Sequence, residues 1–289
     1  MLCQPFTSAD KAKYLSKTVA IAKRNATYKN IYFQTTPYIK YNSLLLSHFV
    51  KTLIVLPTYQ ESANIENILR KVRESLPQAN ILVVDDSSPD KTADIAKNIA
   101  EELGNIEVLV RPEKNGLGPA YRAGFRWGIE QGYEIFVEMD SDFSHDPSQL
   151  ADLIKPIEEG ADVSIGSRYV PGGKIPNWKL SRKLLSRGGN LYASVVLSLH
   201  VADSTAGFRA YNKTILEKVD LSTITADGYG FQIEMTYRAK QKGAKIVEVP
   251  ISFVDRVEGT SKMSSSVVTE ALWLVTKWGF ERLYKPAKK

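Results

Sequence analysis

The sequence predicts an α/β protein with a mostly parallel, Rossmann-like sheet and helices on both of its faces. From Lys51 onward, short apolar segments alternate with amphipathic helical ones, the order expected of strand–helix–strand units with parallel strands. The apolar segments are apolar at nearly every position, as are strands that helices cover on both sides. The chain has 289 residues, of which 43% are hydrophobic, and this is enough for a substantial core.

Five buried strands are predicted in the first part of this region, bounded by polar or glycine-containing turns. Their segments are TLIVLP (52–57), ILVVDD (81–86), IEVLVRP (106–112), EIFVEMD (134–140) and ADVSIGSR (161–168). A helix is expected after each of the first four strands, over residues 63–75, 87–103, 118–132 and 147–159. The alternation therefore accounts for most of a parallel sheet.

Beyond residue 170 the pattern is looser. One helix or two are predicted in KLSRKLLSRGGNLYASVVLSL (179–199), followed by a short helix near residues 214–219 and a longer one over 227–243. AKIVEVPISF (244–253) is predicted to be a further strand. Residues 264–289 are predicted to form an amphipathic C-terminal helix and a tail, which completes a single domain over 51–289.

The positive charge of the chain is concentrated in a basic N-terminal extension, residues 1–50. Seven of the 38 basic residues but only one of the 32 acidic ones lie there, so residues 51–289 carry 31 of each. The neutral domain argues against a nucleic-acid-binding protein. For the extension itself, a disordered tail, a start site assigned too early and a targeting segment all remain open.

The cysteine content and the hydropathy pattern point to a reducing, cytoplasmic location. Cys3 is the only cysteine, so an intrachain disulfide is excluded. The longest apolar stretch without charge, residues 188–202, contains Gly, Asn and His. It is shorter than the roughly 20 apolar residues that a membrane-spanning helix needs, so none is predicted.

Polar side chains follow several of the predicted strands, at the edge where ligands of parallel sheets bind. Because the carboxyl ends of parallel strands share one edge, we expect these side chains to form one site. They are Thr58, Tyr59 and Glu61 after the first strand, Asp85 and Asp86 after the second, Asp140 and Asp142 after the fourth, and Arg168 after the fifth.

The motif Asp140-Ser141-Asp142 is the strongest candidate for a metal site. On an extended segment both carboxylates face the same side, and Mg²⁺ or Mn²⁺ is typically held by one or two carboxylates together with substrate phosphates. The alternative is a solvated loop in which an Asp caps the turn before Pro147. His145 is interpreted as a structural residue of this turn rather than a ligand.

Two further acids and a glycine-rich segment bear on the class of ligand. A carboxylate at the end of the second strand can bind a nucleoside or cap the next helix. We expect Asp86 to do the former and Ser88 or Asp90 the latter. The segment NGLGPA (115–120) lacks the third glycine of a dinucleotide loop and follows the third strand, which counts against a nicotinamide-dependent dehydrogenase.

Several cations lie in loops rich in Gly and Ser, a pattern that favours binding of anionic substrate groups. Any one of them alone is equally typical of a solvated surface. The cations are Arg168, Arg182, Arg187, Arg209, Arg256 and Lys262.

The last helix places apolar residues on one broad face, which suits either a membrane interface or core packing. These apolar residues are Val267, Val268, Ala271, Leu272, Leu274, Val275 and Trp278.

Eight segments together resemble the dolichyl/polyprenyl-phosphate mannose synthases of the family 2 glycosyltransferases. They are VLPTYQESANI, VVDDSSPDKT, KNGLGPAYRAGF, MDSDFSHDP, GSRYVPGG, STAGFRAY, GYGFQIEM and FVDRVEGTSKM, in this order from about Thr52 to Ala271. The resemblance implies a GT-A fold. It also implies inverting, metal-dependent transfer of mannose from GDP-mannose to a polyprenyl (dolichyl-type) phosphate, which gives polyprenyl-phosphate β-mannose and GDP.

The resemblance assigns roles position by position. It implies that the metal is bound by Asp140, Asp142 and Ser144. It implies that the nucleotide sugar is bound by Pro57, Tyr59, Glu61, Val84, Asp86, Asp140, Arg256 and Lys262. It implies that the acceptor phosphate is bound by Arg168, Arg182 and Ser186, with Asp140, Asp142 and Arg168 directly involved in catalysis.

The resemblance also implies peripheral contact with the cytoplasmic face of a membrane, and it leaves room for a membrane-anchored partner subunit. The nearest alternative is a polyprenyl-phosphate glucosyltransferase, or another transferase that uses a UDP-sugar. A non-catalytic nucleotide-sugar-binding subunit is a third reading, against which the complete set of metal and acceptor motifs argues. A phosphate acceptor is already anionic near neutral pH, with a second pKa of roughly 6, so little help from a general base is expected.

Overall fold

The computed structural model describes residues 50–255 and 265–284. Within them, seven strands are β1 (Thr52–Thr58), β2 (Asn80–Asp85), β3 (Ile106–Val110), β4 (Ile135–Glu138), β5 (Val163–Ser167), β6 (Arg209–Asn212) and β7 (Ile246–Pro250). The α-helices are α1 (Ile65–Ser75), α2 (Thr92–Leu103), α3 (Leu117–Glu130), α4 (Leu150–Glu158), α5 (Leu180–Leu197), α6 (Lys213–Val219), α7 (Gly228–Gln241) and α8 (Ser265–Tyr284). Nearly all of the predicted extension, together with Arg256 and Lys262, lies outside the described residues.

The strands form one sheet in the order β3-β2-β1-β4-β6-β5-β7. β1 pairs in parallel with β2 and β4, and β5 pairs in parallel with β7. β6 runs antiparallel to both of its neighbours, β4 and β5. The carboxyl ends of β1, β2, β4 and β5 therefore lie along one edge, and the loop that enters β6 reaches the same edge. The predicted mostly parallel α/β sheet is confirmed.

The sheet separates two apolar layers, which explains why its strands are apolar at consecutive positions. Leu53 and Val55 of β1 pack into the layer that includes Phe125 of α3. The intervening Ile54 packs into the opposite layer, with Leu153 of α4. Side chains of a strand alternate between its two faces, so a strand covered by helices on both sides needs an apolar residue at every position.

Two glycines bring α3 unusually close to the sheet. A Cβ atom on Gly124 would lie 2.5 Å from Cγ1 of Val55, and one on Gly128 would lie 2.5 Å from side-chain atoms of Leu53 and Phe136. Both distances are shorter than normal carbon contacts, so only glycine permits this packing. The approach positions the first turn of α3 at the edge of the sheet where the polar side chains gather.

The main departures from the predicted elements lie after residue 170. The four-residue strand β6 begins within the motif STAGFRAY and ends at Asn212. No strand was predicted there, because the segment is short and contains the charged Arg209. The stretch that allowed one helix or two forms the single helix α5, which continues through Gly188 and Gly189. No helix in the described part of the chain is both long enough and apolar enough to cross a membrane.

Candidate active site

A cleft of about 610 Å³ opens at the carboxyl edge of the sheet. The loops after β1, β2, β4 and β5 form its floor, and the starts of α3 and α7 and the loop before β6 complete its walls. The structure brings nine of the sequence-predicted site residues together here. They are Pro57, Tyr59, Glu61, Asp86, Asp140, Asp142, Ser144, Arg168 and Arg182.

The other predicted residues are placed differently. The Val84 side chain is fully buried and packs in the core beside Gly124, so only its backbone position is near the cleft. Ser186 lines a smaller cavity next to the cleft and accepts a hydrogen bond from the Tyr169 hydroxyl at 2.7 Å. Arg256 and Lys262 lie outside the described residues, so their predicted role at the donor diphosphate stays a prediction.

The Asp140-Ser141-Asp142 motif lies where β4 ends, and both carboxylates line the cleft. The Tyr121 hydroxyl donates to Oδ1 of Asp140 at 3.2 Å, and the backbone N–H of Ser144 donates to Oδ1 of Asp142 at 3.0 Å. The Ser144 hydroxyl belongs to the same cleft wall. Two carboxylates and a hydroxyl form a donor set of the kind that Mg²⁺ and Mn²⁺ accept.

The donor set is small by the standard of a closed metal cage. In residues 50–255 and 265–284, no three or more His, Cys, Asp or Glu side chains group in a way that could hold a metal ion. An open site of two carboxylates suits a cation that shares its remaining positions with substrate phosphate oxygens and water. The residues present thus fit a cation bound together with a nucleotide diphosphate.

His145 stabilises the turn that carries these acids. Its ring is buried and stacks on Phe208 at 5.0 Å, and its Nδ1 accepts a hydrogen bond from the backbone N–H of Asp140 at 3.1 Å. Burial lowers the pKa of His145 to about 4, so the ring is neutral near pH 7 and Nδ1 can accept. The structural interpretation of His145 agrees with this geometry.

A buried polar network lies behind the acids. Glu138, the last residue of β4, is fully buried, and its Oε2 accepts from the Gln232 amide at 2.8 Å. Burial raises the pKa of Glu138 to about 7, although the nearby charge of Arg209 opposes the rise. Tyr121, which holds Asp140, stacks on Phe231 of α7 at 6.0 Å. α7 thus contacts the acid-bearing segment through Gln232 and Phe231.

Asp85, the last residue of β2, and Asp86, which follows it, make different contacts. Asp85 is completely buried and accepts hydrogen bonds from the Thr58 hydroxyl, the Ser88 N–H and the Ser88 hydroxyl at 2.6–2.9 Å. Asp86 faces the cleft and forms an ion pair with Arg111 at 3.1 Å. Burial raises the pKa of Asp86, and the charge of Arg111 opposes this rise. Asp86 lines the cleft, and its contact with a nucleoside stays a prediction; Asp90 accepts from the Thr92 N–H at the start of α2.

Tyr59 and Lys114 line the same cleft as Asp86 and contact each other. The Lys114 Nζ lies 3.9 Å from the centroid of the Tyr59 ring, within the range of a cation–π contact. Both residues line the cleft beside Asp86. An aromatic ring, a carboxylate and an ammonium group together offer stacking, hydrogen-bond acceptance and hydrogen-bond donation to a planar base.

The side chain of Asp227, the residue directly before α7, contacts the glycine-rich segment at the start of α3. The Asp227 carboxylate accepts from the Gly118 N–H at 2.7 Å. Gly116 has a φ of 93°, and a Cβ there would lie 1.9 Å from Oδ2 of Asp227. These glycines accommodate the Asp227 side chain. No dinucleotide-type phosphate loop results.

Another part of the cleft is lined by two arginines, Arg168 and Arg182, each of which forms an ion pair with an aspartate. Arg168 is buried, and its Nε and Nη2 donate to the two carboxylate oxygens of Asp203 at 2.7 and 2.6 Å. The backbone N–H groups of Ala202 and Asp203 in turn donate to Glu248 of β7 at 2.8 and 3.0 Å. The guanidinium group of Arg168 is therefore held in one orientation at the cleft wall.

Arg182 projects from the first turn of α5 into the same end of the cleft. Its guanidinium carbon lies 3.8 Å from the centroid of the Trp178 ring, and Nη1 donates to Asp255 at 2.9 Å. The Trp178 indole N–H donates to the same Asp255 oxygen at 2.9 Å. Arg182 is thus positioned by an aromatic ring and a carboxylate at the boundary of the two cavities.

Two of the other predicted cations do not line the cleft. Arg209 is fully buried and donates to the backbone oxygens of Ser204, Ala206 and Gln232 and to the Thr236 hydroxyl. Its grouping with substrate-binding cations was wrong, because its donors are used to join the loop before β6 to α7. Arg187 is exposed on α5 and lies 5.3 Å from the Tyr169 ring centroid.

Several residues that line the cleft or contact its side chains were not predicted from the sequence. Lys114 and Asp227 belong to segments that were singled out, yet neither was assigned a role. Asp203 directly precedes STAGFRAY, and Asp255 lies within FVDRVEGTSKM, directly before its arginine. An acid beside an arginine motif is a weak signal for a partner. Thr205 and Trp178 carry no sequence signal, because their place at the cleft depends on the antiparallel β6 and on the loop before α5.

The comparisons with known proteins agree with this geometry. The family model described as glycosyl transferase family 2 matches residues 53–220. The chain belongs to glycosyl transferase family 2. An undecaprenyl-phosphate mannosyltransferase of Micrococcus luteus is 49% identical over 230 residues, which cover 80% of this chain and 94% of that protein. A polyprenol monophosphomannose synthase of Mycolicibacterium smegmatis is 47% identical over 230 residues, covering 79% and 87%.

A more distant relative extends the same group of family 2 glycosyltransferases. A dolichol-phosphate mannosyltransferase of Pyrococcus furiosus is 36% identical over 236 residues, which cover 79% of this chain and 64% of that protein. These relatives confirm the resemblance to polyprenyl-phosphate mannose synthases. This family 2 member is therefore a glycosyltransferase enzyme.

Solved structures confirm the predicted GT-A fold. A mannosyltransferase from Pyrobaculum calidifontis in complex with GDP-mannose and Mn²⁺ superposes with a TM-score of 0.55 at 16% identity, covering 82% of this chain and 65% of that one. A glucosyl-3-phosphoglycerate synthase from Mycobacterium tuberculosis in complex with Mn²⁺, UDP-glucose and phosphoglyceric acid gives 0.58 at 16% identity, covering 87% and 86%. At such identities the likeness concerns the fold alone.

Proposed function

We propose that this family 2 glycosyltransferase transfers mannose from GDP-mannose to a polyprenyl phosphate, with inversion at the sugar. The observation that carries the proposal is the single cleft in which the acids after β4 face the arginines after β5 and at the start of α5. A leaving diphosphate and an anionic acceptor can meet between them. The activities named for the relatives at 49% and 47% identity support mannose as the sugar and a polyprenyl phosphate as the acceptor.

The donor end of the cleft would hold the nucleotide. Tyr59 offers a ring for stacking, and Asp86 and Lys114 offer an acceptor and a donor for the edge of a base. Pro57 and Glu61 complete the wall after β1. The GDP-mannose named with the Pyrobaculum calidifontis structure of similar fold supports guanine as the base of the donor.

Asp140, Asp142 and Ser144 would hold a divalent cation at the donor diphosphate. Bound there, Mg²⁺ or Mn²⁺ would supply positive charge that stabilises the leaving GDP. The Mn²⁺ named with two nucleotide-sugar complexes of similar fold supports a divalent metal. Tyr121 and Ser144, through the hydroxyl and the N–H respectively, keep the two carboxylates directed at the cleft.

Arg168 and Arg182 would bind the acceptor phosphate and orient its oxygen toward the sugar carbon. The phosphate oxygen forms the new bond as the sugar–diphosphate bond breaks, and the departing electron pair remains on GDP. Since a phosphate is already anionic near neutral pH, no residue has to remove a proton. Arg168 is paired with Asp203 and Arg182 with Asp255, so both guanidinium groups would meet the phosphate as ion pairs held in fixed positions.

We also propose that α5 and α8 rest on a membrane surface that carries the lipid acceptor. Leu184, Leu191 and Val195 of α5 are 61–68% exposed, and Trp273 and Phe280 of α8 are 61% and 57% exposed. α5 also carries Arg182, Lys183 and Arg187 and no acidic residue. Exposed apolar stripes flanked by basic residues suit an interface with anionic lipid.

A transfer assay tests the proposal directly. The purified full chain is incubated with radiolabelled GDP-mannose or UDP-glucose, a polyprenyl phosphate and Mg²⁺ or Mn²⁺, and the lipid product is extracted and counted. We expect metal-dependent mannosyl transfer. Glucosyl transfer from UDP-glucose in place of mannosyl transfer would establish the alternative donor, and full activity after chelation would contradict the role of Asp140 and Asp142.

A further inference from the structure

The connection between β3 and α3 lines the end of the cleft that would hold the nucleotide. The Lys114 ammonium lies 3.9 Å from the Tyr59 ring centroid, and the backbone N–H of Asn115 donates a hydrogen bond to the Asp86 carboxylate. Residues 111–116 belong to no helix or strand, and residues 112–115 are exposed. Little side-chain packing therefore fixes this connection, so its position depends on how its two ends are held.

The two ends are held in different ways. At the first, the Arg111 N–H donates to the backbone oxygen of Asp85 at 2.7 Å, which extends the pairing of β3 with β2. At the second, Gly116 precedes α3 directly and has no side chain to accept from the N–H groups of the first turn. The Asp227 carboxylate replaces this cap, because its Oδ1 accepts from the Gly118 N–H at 2.7 Å. A negative charge at a helix N-terminus is also favoured by the helix dipole.

Asp227 reaches the connection from a fixed position. Its backbone oxygen accepts from the Phe231 N–H at 3.2 Å in the first turn of α7, and the Glu234 carboxylate accepts from the Ala226 N–H at 2.9 Å. Gly116 has a φ of 93°, and a Cβ there would lie 1.9 Å from Oδ2 of Asp227. The carboxylate thus packs directly against the backbone of Gly116, and it determines where the connection ends and α3 begins.

We propose that Asp227 is a positioning residue for the nucleotide of the sugar donor. By capping α3 it holds residues 113–116 in place, so that Lys114 and Asn115 meet Tyr59 and Asp86 before a ligand binds. The inference rests on the proposed function, since it assumes that this end of the cleft binds the nucleotide. When the cap is removed, the exposed connection must be ordered at each binding event, and this entropy cost lowers the affinity for the nucleotide. Binding of the acceptor phosphate at the arginines does not depend on the cap.

Two substitutions at the same position separate this role from direct participation in the reaction. Asp227→Ala removes the acceptor for the Gly118 N–H, whereas Asp227→Asn keeps an amide oxygen there and removes only the charge. Asp220→Ala is the matched control, because Asp220 accepts from the Ser222 N–H at the start of another helical turn and lies outside the cleft. Thermal unfolding verifies that all three variants fold.

Calorimetric titration with GDP and Mn²⁺ gives a readout that does not depend on turnover. We expect Asp227→Ala to raise the Kd for GDP and the KM for GDP-mannose roughly 3- to 30-fold, the loss typical of a helix cap. The KM for a short, water-soluble prenyl phosphate should not change. Asp227→Asn should recover most of the affinity, and Asp220→Ala should match wild type. An Asp227→Asn variant as weak as Asp227→Ala, or a fall in kcat at unchanged Kd, would overturn the positioning role.

Gly116→Ala tests the same contact from the other side. Its Cβ would displace the Asp227 carboxylate, so we expect a similar rise in the Kd for GDP. In the Asp227→Ala background that clash is absent, so Gly116→Ala should weaken GDP binding less than it does in the wild-type protein; additive losses would contradict a direct contact. Wild-type protein that binds GDP yet transfers no mannose to a polyprenyl phosphate would instead overturn the proposed function.

Discussion

The residues that follow β4 divide into two groups over a few positions. Asp140 and Asp142 line the cleft, whereas His145 is buried against Phe208 and Asp146 accepts from the Ser148 N–H at the surface. The first group offers oxygen ligands, and the second shapes the turn that presents them. The same chemical type, a carboxylate, thus has different tasks at positions only a few residues apart.

This division predicts distinct effects for isosteric substitutions. Asp140→Asn and Asp142→Asn each remove one negative charge from the proposed metal site, so we expect kcat for mannosyl transfer to fall on the order of 100-fold or more. Asp146→Asn is the matched control, because Asp146 is exposed and outside the cleft, and its activity should equal that of wild type. Steady-state kinetics at saturating metal measure all three; equal activity of Asp142→Asn and Asp146→Asn would contradict the assignment.

Glu138 gives a prediction about pH and stability. Because its pKa rises from 4.5 to about 7 on burial, the folded state holds the proton more tightly than the unfolded state. Its contribution to stability is full below pH 4.5 and is lost as the pH rises through 7. Relative to Glu138→Gln, wild type should lose up to ~3 kcal/mol of unfolding free energy over this range.

Urea denaturation of both proteins at several pH values between 5 and 8, with a metal chelator present, measures this difference. Glutamine keeps an acceptor for the Gln232 amide and does not titrate, so it isolates the proton linkage. Parallel pH profiles for the two proteins would show that Glu138 titrates normally.

At the scale of elements, α3 depends on glycine for its approach to the sheet, whereas α5 does not. The Cβ of Gly124→Ala would lie 2.5 Å from Val55, so overpacking should destabilise the protein by roughly 1–3 kcal/mol. Gly188→Ala lies in an exposed stretch of α5 with no atom near, so it should stabilise by about 0.5–1 kcal/mol. Chemical denaturation measures both; destabilisation of similar size at the two positions would contradict the packing argument.

The antiparallel direction of strand β6 shapes the cationic end of the cleft. Because β6 runs antiparallel to β4, the loop before it lies at the cleft edge. In this loop Asp203 forms an ion pair with Arg168, and the Thr205 hydroxyl accepts a hydrogen bond from Nη2 of Arg168 at 2.8 Å. Asn190 of α5 holds this loop through Ser204 and Thr205 at 3.0–3.2 Å. α5 and the loop before β6, which both follow β5 in the chain, thus orient the guanidinium group of Arg168.

At the scale of the whole molecule, the exposed apolar stripes of α5 and α8 lie on neighbouring helices beside the acceptor end of the cleft. The triple variant Leu184→Ser, Leu191→Ser, Val195→Ser removes three side chains that are 61–68% exposed. Burial of such side chains is worth roughly 1.5–3 kcal/mol each when complete. We therefore expect at least a tenfold loss of binding to vesicles that contain anionic lipid, measured by co-sedimentation.

Val110→Ser is the matched control for this experiment. Val110 is 46% exposed at the end of the edge strand β3, on a different element from the proposed membrane surface. Its vesicle binding should equal that of wild type. Equal losses in the triple variant and in Val110→Ser would indicate nonspecific adhesion rather than an oriented surface.

The sequence by itself determined the class of fold and most of the residues after β1, β2 and β4 that line the cleft. Consecutive apolar positions require a sheet covered on both faces, and strand ends of a parallel sheet share one edge, so Tyr59, Asp86, Asp140 and Asp142 could be predicted to meet. These are local rules of periodicity and topology. Only the tertiary structure decided the pairing of Arg168 with Asp203, the burial of Arg209 and the contact of Asp227 with the start of α3. Each depends on contacts between residues far apart in the chain, which no local pattern encodes.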